Sequence, residues 1–119
     1  MDIQNLLHFG IEDEYWAKII PIISSIPEVE ALVLFGSRAK GNFKPASDID
    51  LAIFGDIPDR SRTKIWNKLD DLYIIWTIDT VYMHDLKHEG LRRHIQVVGK
   101  VLYQNPLAAP FENIEDLPI

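Results

Sequence analysis

The segment GSRAKGNFKPASDIDLAIFG, residues 36–55, constrains the fold of this chain more than any other part. It follows a continuous apolar run, Ala31–Phe35, which is typical of a buried strand. Gly36–Gly41 then predicts a turn or a short helix, and 42–47 predicts a loop that contains proline. Asp48–Phe54 begins with alternating polar and apolar residues and becomes apolar, as a strand does on entering a core.

The rest of the chain predicts alternating helices and strands around this segment. Pro21 is expected to kink or break the first helix, and Asp85 to cap the third. The order helix–strand–strand–helix–strand–helix–strand predicts an α+β domain with helices packed on a mixed β-sheet. Apolar spacing and β-rich composition place the further helices over 11–25, 60–72 and 86–98, and the further strands over 73–83 and 100–103.

Length, charge and composition exclude several classes of protein. The 119 residues predict a single domain over 1–119, with a core at about 11–103 and a tail at 104–119. The chain has no cysteine, which excludes disulfides and thiolate metal sites, and its net charge of −6 argues against an extended nucleic-acid surface. No apolar run approaches the roughly 20 residues of a membrane span. The N-terminus lacks the basic segment of a signal peptide, so we expect a cytoplasmic protein.

Asp48 and Asp50 are the first candidates for a functional site. Side chains at i and i+2 of a strand point to the same face, about 7 Å apart. Two unpaired carboxylates at that distance repel by about 2–3 kcal/mol at an effective dielectric near 20. A cation between them removes this cost, and Mg²⁺ prefers carboxylates together with substrate phosphates. The alternative is that Asp48 is a turn residue and Asp50 faces solvent, since a short motif also occurs by chance.

Gly36, Ser37 and Asp79 make this pair of carboxylates more specific. Gly36 and Ser37 can expose backbone N–H groups to a phosphate, although they could also form an ordinary turn after a strand. Asp79 lies in the middle of a β-rich segment, where aspartate is uncommon. If its strand pairs beside the strand of Asp48 and Asp50, three carboxylates converge, as in two-metal phosphoryl or nucleotidyl transfer.

Three histidines near the third predicted helix, His84, His88 and His94, are weaker candidates. The spacing of the first two is compatible with metal binding by imidazole. Because such short spacings also arise by chance, solvated histidines on a helix face are the favoured interpretation.

The central motif resembles a known family. The strings LFGSRAKG (34–41) and SDIDL (47–51) are similar to the hallmark L-F-G-S-R-A-x-G and S-D-x-D-L of the DNA polymerase beta nucleotidyltransferase superfamily. The form resembles its minimal branch, the MNT proteins of prokaryotic HEPN/MNT toxin–antitoxin pairs. The resemblance covers about residues 15–103, and Lys40 stands where that branch often has arginine.

The resemblance implies which residues carry out the chemistry. Asp48, Asp50 and Asp79 would be the catalytic and metal-binding residues, with two Mg²⁺ ions expected. Asp48 and Asp50 would hold Mg²⁺ against the phosphates of ATP or another nucleoside triphosphate. Asp79 would help to bind the catalytic metal and would activate the attacking hydroxyl. The hydroxyl would attack the α-phosphate and release pyrophosphate.

The resemblance also implies the nucleotide-binding residues. Gly36 and Ser37 would bind the β- and γ-phosphates, and Ser47 would belong to the same nucleotide site. Arg38 would either contact the phosphates or brace the turn.

A partner protein is the last implication of the resemblance. Larger relatives carry a second, helical domain that completes the acceptor site, so a separate helical HEPN-type toxin is expected in a hetero-oligomer. The chain would act as its antitoxin by transferring AMP to a toxin hydroxyl. Leu107, Phe111 and Leu117 of the tail could contact this partner or fold onto their own domain. Two alternatives stay open: an antitoxin that masks its toxin by binding alone, and the nucleotide-binding subunit of an enzyme that modifies a small molecule such as an aminoglycoside.

Overall fold

A four-stranded mixed sheet organises residues 7–107, the part of the chain that the computed structural model describes. The predicted α+β order is confirmed, the turn or short helix predicted after the first long strand is a one-turn helix, and a short N-terminal hairpin is added. The strands are β1 (Leu7–His8), β2 (Ile11–Glu12), β3 (Ala31–Phe35), β4 (Ile49–Phe54), β5 (Ile78–Tyr82) and β6 (Lys100–Gln104). The helices are α1 (Asp13–Ser24), α2 (Gly36–Lys40), α3 (Asp59–Asp70) and α4 (Glu89–Val98), with a 3₁₀ turn at Met83–Asp85.

The strand order β5-β4-β3-β6 makes β3 and β4 the central strands. β3 pairs antiparallel with both β4 and β6, whereas β4 and β5 are parallel and are joined through α3. Because β3 has a neighbour on each side and a layer on each face, all five of its residues are buried. Its continuous apolar sequence is therefore what a central strand requires.

The two faces of the sheet are covered unequally. One face carries Leu32, Leu34 and the isoleucines and leucine of β4, which pack against α1 and α3. The other face carries Val33, Phe35 and Ala52, which pack against Ile95 of α4. Strand alternation places Asp50 and Asp79 on this second face, at the start of β4 and β5. Asp79 is exposed there, so this corner of the sheet stays accessible to solvent.

The first helix differs from the sequence prediction at its start and at Pro21. Ile11 pairs with His8 in the β1–β2 hairpin, so α1 begins at Asp13. The hairpin turns at Phe9 and Gly10, whose φ angles of 60° and 79° suit a two-residue turn. Of the predicted kink or break at Pro21, the break is wrong, because α1 continues through Pro21 to Ser24, and the kink stays a prediction.

The third strand and the last helix are shorter than predicted. β5 begins only at Ile78, because its neighbour β4 begins at Ile49 and offers no earlier partner. The predicted cap at Asp85 is also wrong. Asp85 lies in the 3₁₀ turn and pairs with Arg62 at 2.6 Å, whereas the Nδ1 atom of His88 accepts the N–H of Leu91 and caps α4.

The segment after β6 is docked where it begins. Asn105 donates its N–H to the carbonyl of Glu30 at 2.9 Å and its side-chain amide to that of Val29 at 3.1 Å. Phe111 and Leu117 of the predicted tail lie outside the described residues, and the single-domain boundaries stay a prediction. Within 7–107, every helix is too short or too polar to cross a bilayer.

Candidate functional site

The parallel pairing of β4 and β5 brings the predicted carboxylates together. Asp50 lies directly opposite Asp79 in this register, and Asp48 stands just before β4. On its other side Asp50 is opposite Phe35, the last residue of β3. The end of β3 that leads into Gly36 therefore lies beside the same carboxylates.

Asp50 experiences the accumulated negative charge of this corner most strongly. Its half-buried carboxyl has a pKa raised to about 6, first because burial disfavours its charged form and then because Asp79 and Asp48 repel it. Asp48 and Asp79 themselves are exposed. The corner thus concentrates negative charge around one desolvated group, which is an arrangement that a cation would stabilise.

The donor chemistry of these carboxylates fits Mg²⁺. In residues 7–107, no three imidazole, thiol or carboxylate groups already converge to enclose an ion by themselves. Mg²⁺ usually keeps water ligands and binds through one or two carboxylates plus substrate phosphates. Asp48 and Asp50 could supply the carboxylates, with Asp79 beside them, and a nucleotide could supply phosphate oxygens.

Gly36 is required next to Asp50 for two reasons. Its φ of 75° lies in the left-handed region, where a side chain is strained. A Cβ atom at this position would also overlap the Asp50 carboxylate. Ser37 follows in the first turn of α2, where backbone N–H groups have no intrahelical acceptor. Gly36 therefore lets the turn approach the carboxylates and brings Ser37 with it.

The N–H of Gly36, which was expected to face a phosphate, has a protein acceptor in this structure. It donates to Nε2 of His94 on α4 at 3.2 Å. The sequence predicted only a solvated histidine at His94 and did not indicate this contact, since the two partners are 58 positions apart and no motif joins them. The nucleotide-binding roles of Gly36 and Ser37 stay predictions.

Arg38 is buried and braces the turn. Its side chain is 1% exposed, and all its nitrogens donate to main-chain carbonyls. Nε bonds to Ser47 at 3.1 Å, Nη1 to Phe9 at 2.8 Å, and Nη2 to Pro45 at 3.1 Å. These bonds to carbonyls leave the phosphate contact expected of Arg38 as a prediction. The bracing alternative is the one observed, although the acceptors are carbonyls and not an acidic residue.

Two aromatic rings complete the environment of Arg38. Its guanidinium lies 4.9 Å from the ring centre of Phe43 and 5.7 Å from that of Trp76. Trp76 also donates its indole N–H to the Pro45 carbonyl at 2.9 Å. The loop before Asp48 is thus held at several points, and the composition of the loop alone did not indicate this.

Ser47 has a structural role in the same loop. Its hydroxyl oxygen accepts the N–H of Lys44 at 2.8 Å, and its carbonyl accepts from Arg38. The hydroxyl proton can still donate elsewhere. The nucleotide-binding role of Ser47 stays a prediction.

A cleft adjoins the carboxylate corner. It has a volume of about 500 Å³ and lies between α3 and the segment 72–80. Trp66, Trp76 and Asp79 are among its lining residues. Asp79 lines this cleft at the edge strand β5, but α3 packs on one face of the sheet and the side chains of Asp50 and Asp79 lie on the other.

Comparison of the sequence with models of protein families shows which family this chain belongs to. A family model described as polymerase beta, nucleotidyltransferase matches residues 17–106, most of the chain. The chain belongs to the polymerase beta nucleotidyltransferase family. The matched range contains the Gly36–Ser37 turn and all three carboxylates. No curated protein sequence matches the chain significantly.

Several solved structures with the same fold are toxin–antitoxin complexes. A chain of a toxin–antitoxin with AMP-PNP is 25% identical, with 76% of this chain and 73% of that chain covered and a TM-score of 0.61. The MntA–HepT toxin–antitoxin gives 24% identity, coverage of 78% and 73%, and a TM-score of 0.53. A chain of the complex of tri-AMPylated Shewanella oneidensis HEPN toxin with MNT antitoxin is 23% identical, with 77% of this chain and 71% of that chain covered and a TM-score of 0.53. The last two likenesses establish a shared nucleotidyltransferase fold only.

Replacing Asp50 by asparagine is expected to stabilise this nucleotidyltransferase domain at neutral pH. The raised pKa of about 6 means that folded Asp50 holds its proton more tightly than an unfolded aspartate does. Stability is therefore lost as pH rises from about 4 through about 6, and the full penalty is present at neutral pH. After discounting for solvent screening, Asp50→Asn should raise the free energy of unfolding by about 1 kcal/mol.

Urea unfolding without divalent metal at neutral pH and at about pH 4 measures this difference, which should vanish at the lower pH. Asp56→Asn, which removes an exposed carboxylate away from the cluster, is the control and should show a smaller change. A destabilised Asp50→Asn variant at neutral pH contradicts the charge account.

Gly36→Ala and Gly41→Ala separate backbone strain from obstruction of the site. Both glycines have positive φ, but a Cβ at Gly41 meets nothing within 4 Å, whereas one at Gly36 overlaps Asp50. Gly41→Ala should cost about 1–2 kcal/mol of stability and leave nucleotide binding intact. Gly36→Ala should weaken binding of Mg²⁺ with AMP-PNP by an order of magnitude or more, as measured by calorimetry. Equal binding by the two variants would show that the contact with Asp50 is unimportant.

Arg38→Lys tests whether the geometry of the guanidinium, and not its charge, holds the loop. Lysine keeps the charge but cannot reach three carbonyls with a planar fork. We expect a loss of about 2–3 kcal/mol in the free energy of unfolding. Arg60→Lys, on the exposed side of α3, should change it by less than about 0.5 kcal/mol. Similar values for the two variants would refute the bracing role.

Proposed function

We propose that this chain is a Mg²⁺-dependent nucleotidyltransferase that transfers AMP from ATP to a hydroxyl of a helical HEPN toxin and thereby acts as its antitoxin in the cytoplasm. The observation that carries the proposal is the register of β4 and β5, in which Asp50 lies opposite Asp79 beside the Gly36 turn. Family membership supports the reaction class.

Two solved relatives support the choice of nucleotide and acceptor. One is a toxin–antitoxin with AMP-PNP, an analogue of ATP. In the other, a HEPN toxin in complex with its MNT antitoxin is tri-AMPylated. By analogy, the adenylyl group would come from ATP and the acceptor would be a side-chain hydroxyl of the partner.

The described residues suggest separate roles in metal binding, phosphate binding and proton transfer. Mg²⁺, when bound, would neutralise the phosphates and orient the α-phosphate for attack. Asp48 and Asp50 would hold the metal ions, and the Ser37 N–H and hydroxyl would donate to the phosphates. Asp79 would accept the proton of the hydroxyl as its oxygen bonds to the α-phosphorus. The bond from that phosphorus to the β-phosphate oxygen would break, and pyrophosphate would leave.

The position of the cleft suggests how the acceptor arrives. Asp79 lies on the edge strand β5 and lines the cleft, so a partner that docks in the cleft would lie along the sheet edge next to the carboxylate cluster. Trp66 is 64% exposed on the cleft wall and would give the partner an apolar contact.

Transfer of label from ATP tests the catalytic proposal. The chain is incubated with α-labelled ATP, Mg²⁺ and a HEPN-type protein encoded beside it, and label on the toxin is measured. We expect transfer that chelation of Mg²⁺ abolishes and that Asp48→Ala lowers on the order of 100-fold. Asp56→Ala is the matched control and should transfer normally. Absence of transfer by the wild type, or full transfer by Asp48→Ala, contradicts the proposal.

The same pair of proteins distinguishes catalysis from masking. Asp48→Asn with Asp50→Asn preserves the shape of the surface but removes the metal ligands. If this double variant still binds the toxin yet fails to neutralise it in cells, modification is required. Full neutralisation by the double variant would favour masking, and protection of cells against a drug would favour a small-molecule acceptor.

A further inference from the structure

His94 connects α4 to the turn before Ser37. Its Nε2 atom accepts the Gly36 N–H at 3.2 Å, so the proton of the neutral ring resides on Nδ1. The half-buried ring also packs edge-to-face on Phe35, with centroids 6.0 Å apart and planes at 82°. One side chain on α4 therefore contacts both the last residue of β3 and the first residue of α2.

Gly36 lies between His94 and the Asp50 carboxylate. Its N–H is held by the imidazole, while the side where a Cβ would project is filled by the carboxylate of Asp50. Its φ is 75°, and glycine populates positive and negative φ angles about equally well. An external hydrogen bond is thus needed to select this conformation from the others that glycine can adopt.

We propose that His94 is a positioning residue for the nucleotide site, which acts by holding Gly36 in the one conformation that accommodates the Asp50 carboxylate and directs Ser37 toward the phosphates. The hydrogen bond exists independently of the reaction, while its effect on nucleotide binding rests on the proposed function. His94 lies outside both sequence strings that define the family resemblance. Its proposed contribution to the site is therefore the hydrogen bond that it accepts from Gly36.

A second relationship between His94 and nucleotide would give the opposite result. If a phosphate had to displace the imidazole from the Gly36 N–H, His94 would compete with nucleotide, and its removal would tighten binding. The edge-to-face packing of the ring on Phe35 and the position of Asp50 beside Gly36 favour positioning. The direction of the change in affinity therefore decides between positioning and competition.

Two substitutions separate the hydrogen bond from the ring packing. His94→Phe keeps an aromatic ring against Phe35 but has no acceptor for the Gly36 N–H. His94→Gln loses the ring, but its side-chain oxygen can reach the position of Nε2. His84→Phe, an exposed histidine in the 3₁₀ turn, is the control for adding an aromatic ring.

The Gly36 amide reports directly on the bond. In the full chain labelled with ¹⁵N, we expect the Gly36 amide to exchange with solvent about fivefold to tenfold faster in His94→Phe than in the wild type. His94→Gln should restore the wild-type rate to within about twofold. A Gly36 amide that is unaffected by both substitutions overturns the proposal.

Binding and turnover test the consequence of that bond. The dissociation constant of AMP-PNP with Mg²⁺ should rise about fivefold in His94→Phe, and His94→Gln should restore it. Turnover with the toxin should fall in parallel, while thermal stability of His94→Phe stays near that of the wild type. Unchanged or tighter binding by His94→Phe, or rescue by the ring and not by glutamine, overturns positioning.

The two sets of measurements also separate this proposal from the proposed function. If the wild type fails to bind nucleotide at all, the proposed function fails, while amide exchange still reports on the hydrogen bond. If the wild type binds and transfers AMP but His94→Phe does so equally well, only the positioning role is refuted.

Discussion

The buried guanidinium of Arg38 joins the N-terminal hairpin to the loop that leads into the carboxylates. It donates to Phe9 on one side and to Pro45 and Ser47 on the other, and it lies against the rings of Phe43 and Trp76. A desolvated cation is costly unless its donors are satisfied, and here every nitrogen has a carbonyl acceptor. The conformation of residues 43–48, and with it the position of Asp48, follows from this interaction, while Gly36 stands two residues before Arg38 on the same turn.

Whereas Arg38 stabilises the loop before Asp48, the like charges of Asp48, Asp50 and Asp79 destabilise the adjacent corner of the sheet. Burial and the neighbouring carboxylates raise the pKa of Asp50 to about 6, so at neutral pH the folded chain carries a repulsive cluster. Functional sites often contain such destabilising clusters, because the rest of the fold is stable enough to compensate for their cost in folding free energy. A bound cation would convert the repulsion into attraction. The same charges that weaken the free domain would therefore favour a metal-bound nucleotide.

The features of this fold that depend on the pattern of side chains could be predicted from the sequence. The apolar runs of β3 and β4, the amphipathic helices and the unusual Asp79 were all visible, and the register of β4 and β5 brings Asp50 and Asp79 together as expected. What stayed hidden depends on backbone partners. The acceptors of Arg38 are carbonyls, which every residue has, and the β1–β2 hairpin is too short to show periodicity. The start of β5 depends on where β4 begins, and the contact of His94 with Gly36 joins distant segments without a motif.

A crystal structure of the chain with Mg²⁺ and AMP-PNP, grown above the pKa of Asp50, tests the account most directly. We expect metal density between the Asp48 and Asp50 carboxylates, with oxygens of the nucleotide phosphates completing its coordination. The phosphates should lie against Ser37, while Arg38 keeps its carbonyl contacts and His94 keeps its bond to Gly36. Nucleotide bound away from the Gly36 turn, or a metal ion that contacts neither Asp48 nor Asp50, would contradict the account.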